Sequence, residues 1–224
     1  MAETMPLMPA RSTRPAGPRP IPTGRRPGYD LDRLLAVAVT VFNERGYDGT
    51  SMEDLAAGLG ISKSSIYHHV SGKSELLRLA SDRALDALTA VTTEPDAVQG
   101  PAIDRLEYLI RRSVEVLVAE LPYVTLLLRV RGNTPVERRV LSRRRELDAL
   151  MSRLVQEAAH QGGLRPGLDA ALTSRLIFGT VNSVIEWYRP TRGPAAQPLA
   201  DAVVAVVLDG LRQPPTVQEP PARR

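Results

Sequence analysis

The chain has 224 residues, 29 basic against 25 acidic, with one Trp, two Phe and no cysteine. Without cysteine there are no disulfides or thiolate metal sites, and the length allows a sizeable core built mostly from Leu, Val, Ala and Ile. The net charge of +4 suits a polyanionic partner without establishing one, and the longest apolar runs, such as Val203–Leu208, fall far below the ~20 residues of a membrane span, so a soluble, cytoplasmic chain with no membrane partner is expected.

Residues 1–28 hold seven prolines and five arginines against Glu3 alone, which predicts a basic, disordered arm. That arm is either a solvated tail or a strap along DNA phosphates or the minor groove, with Arg25 and Arg26 nearest the first helix. It has no apolar stretch of the kind a secretory signal needs. A second disordered tail is expected over 213–224.

Helical periodicity fills the span between the tails, with no convincing period-two strand, so the fold class is all-α. A first helix is predicted over Asp30–Arg45, with Leu31, Leu34, Leu35, Ala38, Val41 and Phe42 on one face and Gly46 as its stop. A second starts at Thr50, with Glu53 closing a capping box, buries Met52, Leu55, Ala56 and Leu59, and ends at Gly60. Ser62 caps a short third helix running to about His69, with Ile66 inward. After Val70–Gly72 a long helix is predicted over Lys73–Thr92, with Leu76, Leu77, Ala80, Ala84, Leu85 and Leu88 as its stripe.

Further helices are predicted over Ala102–Glu120, Tyr123–Arg131, Pro135–Gln161, Asp169–Tyr188 and Leu199–Leu211. Pro190, Gly193, Pro194 and Pro198 mark a loop before the last of them. The domain reading is therefore an arm (1–28), a three-helix helix-turn-helix unit (29–75), a larger helical unit joined to it by the long helix (76–212), and a tail (213–224).

Both lysines and two of the three histidines of the chain fall within residues 50–73, although the other 27 basic residues are all arginine. A helix that reads DNA must enter the major groove, which admits one α-helix. The third helix offers Lys63, Ser64, Ser65, Tyr67, His68 and His69 for that purpose. Its hydroxyls suit phosphates, and Lys63 and His68 have the reach for base edges. Lys73, which opens the long helix, and Ser51, at the start of the second, are placed to meet further phosphates. His69 has a buried structural role as its alternative, and Tyr67 a place in the core. Neighbouring histidines lie about 100° apart on a helix and make no i, i+4 metal pair, so no metal and no cofactor is expected.

The run from Leu31 to Leu79 resembles the DNA-binding domain of TetR/AcrR-family transcriptional regulators. The resemblance is carried by Phe42–Tyr47, Thr50–Ala56, Ile61–Val70 and Lys73–Leu77, with Val70 where that family usually has phenylalanine. It implies a homodimeric repressor on a double-stranded, palindromic DNA operator, released by a small-molecule effector. It also carries the DNA-contact role to Lys63, Ser64, Ser65, Tyr67, His68, His69 and Lys73. The segments Leu121–Glu146, Arg175–Gly179 and Val184–Pro190 are similar to a subset of actinobacterial catabolic regulators that sense acyl-CoA thioesters.

In the C-terminal unit, Leu172, Leu176, Ile177, Thr180, Val181, Val184 and Ile185 line one helix, and Leu199, Val203, Val206, Val207 and Gly210 another. They form either a dimer seam or intramolecular core. The arginines from Arg129 to Arg145 are either a solvated face or receivers of an anion. Tyr108, Tyr123, Leu127, Arg131, Asn182 and Trp187 are the expected effector-pocket residues, combining apolar surface with hydrogen-bonding ends. A drug- or metabolite-responsive regulator is the alternative for the effector. An enzyme lacks any nucleophile–base set, and the local charge of residues 29–75 is too low for an architectural DNA binder.

Overall fold

The computed structural model describes residues 31–210, and all regular elements among them are helices. The expected arm and tail lie outside the described residues.

Three helices make the head: α1 (Leu31–Arg45), α2 (Met52–Leu59) and α3 (Lys63–Tyr67). Leu34, Leu35, Ala38, Val39 and Phe42 of α1 are buried, as are Met52, Leu55, Ala56 and Leu59 of α2 and Ile66 of α3. Leu31, expected on the buried face, sits exposed at the open first turn of α1.

The cap of α2 is shifted by one residue from expectation. Ser51 is the N-cap, accepting from the Asp54 amide at 3.1 Å, and the Asp54 carboxylate accepts from the Ser51 amide at 2.8 Å. Thr50 and Glu53 have the same spacing, so the pattern alone cannot choose between the two boxes. Burial decides: Thr50 is enclosed and its hydroxyl donates to the Gly46 carbonyl at 2.7 Å, which leaves Glu53 pointing outward. Gly60 ends α2 at φ 66°, a left-handed conformation that any Cβ would strain.

α4 (Lys73–Val91) is 19 residues long, about 28 Å at 1.5 Å per residue. Its buried face runs from Leu76, Leu77 and Ala80 beside the head to Ala84, Leu85 and Val91 in the body. The body comprises α5 (Pro95–Val98), α6 (Ala102–Ala119), α7 (Leu121–Arg129), α8 (Pro135–His160), α9 (Ala170–Trp187) and α10 (Ala196–Asp209). α6 packs on α10 and α8, α8 on α9, and α7 on both α4 and α1. Arg143 of α8 fastens α4 by pairing with Asp82 at 2.8 Å and Asp86 at 2.6 Å.

Three boundaries differ from expectation for one reason, proline in a first turn. Such a proline has no amide to lose and its fixed φ suits a helix start. α5 begins at Pro95 and was not expected at all; α7 begins before Pro122 and stops at Arg129; α10 begins at Ala196 and contains Pro198, which reads as loop from the sequence.

Candidate nucleic-acid interface and effector cleft

α3 is a single short turn held by its own hydroxyls. Ser62 caps it by accepting from the Ser65 amide at 3.2 Å, and its hydroxyl shares hydrogen bonds of 2.8 Å with those of Ser64 and Ser65. Ile66 and Val70 anchor the turn in the head core, leaving Lys63, Ser64, Tyr67, His68 and His69 exposed and Ser65 half-buried. His69 therefore has no buried structural role, and Tyr67 is not core. Lys63 donates to Glu53 of α2, an ion pair that joins the two helix starts and holds the lysine above its ordinary pKa and Glu53 below the ordinary carboxylate range. Both partners are exposed, so the pair is weak and Lys63 is free to exchange its partner.

Ser51 lies at the start of α2, its hydroxyl donating to Asp54 at 2.6 Å. Lys73 behaves differently from the other cations of the head. Its ammonium is half-buried and donates to the carbonyls of Tyr47 and Thr50 at 2.8 Å each.

The six expected pocket residues do not converge. Tyr108 donates to Glu94, which Arg112 also grips through two nitrogens at 3.0 and 3.1 Å, so this tyrosine helps tie the end of α4 to α6. Tyr123 is buried with the Arg83 guanidinium 4.3 Å from its ring centre, and Leu127 is core. Arg131, exposed beyond the end of α7, lines a cavity of about 670 Å³ between the α1–α2 loop and the α7–α8 loop. Asn182 lines a separate depression of about 350 Å³ with Arg129 and Arg144. Trp187 is 54% exposed on the outside of α9.

An apolar cleft lies elsewhere, between α4, α6, α8 and α9. Leu88 and Val91 of α4, Leu109 and Ser113 of α6, Met151 of α8 and Phe178 of α9 line it around a void of about 30 Å³. A larger space of about 280 Å³ adjoins it, sharing Thr92 and Leu150 and bringing Arg105 and Arg153 to its edge. A sequence signal for the cleft existed: Ser113 interrupts the buried line Leu109–Ser113–Leu117 of α6 at i, i+4 spacing. A small polar residue in such a line marks incomplete packing.

Head and body also meet directly. The Asn43 amide donates to the Pro122 carbonyl at 2.8 Å, and Arg129 donates to the Asn43 carbonyl at 2.5 Å, so both ends of α7 hold the end of α1.

Comparison with known proteins decides the family. Residues 34–80 match the family of bacterial regulatory proteins of the TetR family, and residues 99–211 match the tetracycline repressor-like C-terminal domain. The chain belongs to the TetR family of transcriptional regulators. A crystal structure of SCO3833, a TetR-family member from Streptomyces coelicolor A3, is 57% identical, covering 80% of this chain and 91% of that one at a TM-score of 0.76. The HTH-type transcriptional repressor KstR2 of Mycolicibacterium smegmatis is 27% identical over 199 residues, 85% of this chain and 95% of the relative. AibR in complex with isovaleryl coenzyme A and operator DNA shares the fold at 21% identity, covering 79% of this chain and 97% of that one at a TM-score of 0.69.

As in its TetR relatives, the head is a helix-turn-helix DNA-binding unit, and α3 is its second helix. On the opposite part of this TetR regulator the two C-terminal helices divide their apolar residues. Ile177, Val181 and Val184 of α9, with Leu199, Val203 and Val207 of α10, belong to the core. Leu172, Leu176 and Trp187 remain 55, 64 and 54% exposed, and Val206 of α10 is 74% exposed. Leu172, Leu176, Thr180, Ser183 and Trp187 follow i, i+4, i+8, i+11, i+15, one straight line along α9. Among the described residues no helix is long and apolar enough to cross a membrane, and no group of three His, Asp or Glu is placed to hold a metal.

Proposed function

We propose that this TetR-family regulator is a cytoplasmic homodimeric repressor that grips a palindromic operator through α3 and is released by an acyl-CoA thioester. The observation that carries the proposal is the continuity of α4. Its first turn carries the head, while Leu88 and Val91 of the same helix wall the apolar cleft. A ligand that opens the cleft must move α4, and with it the spacing of two heads that have to reach successive major grooves about 34–36 Å apart. It can do so only through a higher affinity for the opened state.

The proposed DNA contacts are Lys63, Ser64, Ser65, Tyr67 and His68, with His69 and Ser51 towards phosphates. The acyl-CoA class is favoured by the isovaleryl-CoA complex of AibR and by an apolar cleft whose adjoining space carries two arginines. The domain limits we propose are the head from 29 to 75 and the effector and dimer unit from 76 to 212.

The test is a gel-shift titration on a duplex selected by the protein from a random pool, with and without a panel of short, branched, long-chain and steroid-derived acyl-CoA thioesters. At least one thioester is expected to release the duplex and raise the melting temperature. A panel without effect discards the thioester; release by unrelated drugs in its place would favour an efflux-type regulator. In the same assay Lys63→Ala is expected to weaken binding about tenfold or more, as loss of a base-edge contact worth ~1–3 kcal/mol does. Unchanged affinity would remove Lys63 from the interface.

A further inference from the structure

Lys73 is the first residue of α4, where the free amides and the helix dipole disfavour a cation. The structure surrounds it with oxygen instead. Its ammonium donates to the carbonyls of Tyr47 and Thr50 at 2.8 Å and approaches that of Asp48 at 3.5 Å. The Tyr47 ring centre lies 4.4 Å from the same nitrogen. An ammonium has three protons, and this geometry accounts for all of them without a phosphate.

The receptacle is built by the loop between α1 and α2. Gly46 enters it at φ 82°, and a Cβ on Gly49 would stand 2.9 Å from the Arg45 carbonyl, so the turn is tight. Tight turns leave carbonyls that need donors. The Thr50 hydroxyl takes the carbonyl of Gly46, the Thr50 amide reaches that of Tyr47 at 3.3 Å, and Lys73 donates to those of Tyr47 and Thr50. Tyr47 is itself braced edge-on against Phe42, with ring centres 5.3 Å apart. A compact ammonium with three radiating donors suits converging carbonyls, whereas the planar fork of arginine does not. That chemistry explains a lysine here in a chain whose other basic residues, Lys63 apart, are all arginine.

We propose that Lys73 is a positioning residue and not a phosphate contact. It pins the α1–α2 loop to the start of α4 and thereby sets Ser51 and the α2 start against α3. This departs from the contact that the family resemblance assigns to Lys73, and it rests on the reading of α3 as the groove-entering helix.

The test uses the full-length protein and a duplex selected by the wild type from a random pool, titrated at several salt concentrations where circular dichroism shows each variant folded. Lys73→Met and Lys73→Arg are both expected to lose about tenfold or more in affinity with the salt slope unchanged, because no phosphate contact is removed. Amide exchange should accelerate over residues 46–51. A phosphate contact behaves differently: Lys73→Met would make the slope shallower by about 1.8, from one lost contact in each protomer of the dimer, and Lys73→Arg, which keeps the charge, would bind like the wild type. Either of those results, or full affinity in Lys73→Met, overturns the proposal. If Lys73→Met does not fold, Lys73→Arg alone decides by the same criterion. Lys63→Ala in parallel separates the two readings, since its failure to weaken binding would indict α3 and leave the Lys73 clamp to be judged by amide exchange.

Discussion

Leu176→Arg is expected to turn the proposed dimer into monomers and to lower operator affinity about 100- to 10,000-fold, the advantage that coupling two binding heads supplies. Leu176 stands at the middle of the exposed line Leu172–Leu176–Trp187 on α9, with the exposed Val206 on neighbouring α10. Several large apolar side chains left exposed on one pair of helices mark an interaction site. Around a two-fold axis a self-complementary patch meets its own copy, so one substitution introduces two like charges into a buried seam. The monomer should stay folded, because Leu176 is 64% exposed within the chain and contributes little to its core. Sedimentation and a gel-shift titration read the two effects separately. A Leu176→Arg protein that sediments as a dimer and holds the operator at full strength would refute α9 as the seam.

Most of the head was legible in the sequence because local chemistry specifies it. Glycines at 46 and 60, the Ser62 cap and a 3.6-residue period need no tertiary information. What failed there was a choice that only burial makes, Ser51–Asp54 over Thr50–Glu53, and burial likewise decides that His69 is exposed and has no place in the core. Lys73 illustrates the same limit more sharply. Its position in the chain suggested a phosphate, and only the fold reveals carbonyls of Tyr47 and Thr50 waiting 26 and 23 residues upstream.

The effector side was far less legible. Tyr108, Tyr123, Leu127, Arg131, Asn182 and Trp187 were chosen for side-chain chemistry, but a pocket between helices depends on which faces meet. Tyr108 and Tyr123 turned out to serve the Glu94–Arg112 and Arg83–Glu120 networks. The arginines of α7 and α8 read as one stretch but do different work: Arg129 holds the end of α1, and Arg143 holds α4. The exposed face of α9 was half legible for a geometric reason. α9 is apolar on two faces, and periodicity cannot say which of Ile177 or Leu176 turns to the core.

The tie from Arg143 to α4 gives the cleft its mechanical meaning, and filling the cleft is the second large effect. Ser113→Leu, from α6, is expected to lock the protein on its operator: basal DNA affinity stays within about threefold of wild type, while effector affinity falls about 100-fold or more, equivalent to ~3 kcal/mol. The cleft holds a void of only about 30 Å³, so any effector must push apart α4, α6, α8 and α9 as it enters. The work of opening is done against Arg143, which ties α4 to α8 through Asp82 and Asp86. A leucine at 113 occupies the same void from inside and leaves α4 where the DNA-bound spacing needs it, whereas an effector splays the wall. Overpacking costs ~1–3 kcal/mol, so the melting temperature should fall modestly while repression persists. The decisive comparison is the thioester concentration that releases half the duplex from wild type and from Ser113→Leu. Equal values would place the effector outside this cleft, in which case the 670 Å³ junction beside Arg131 becomes the next site to block.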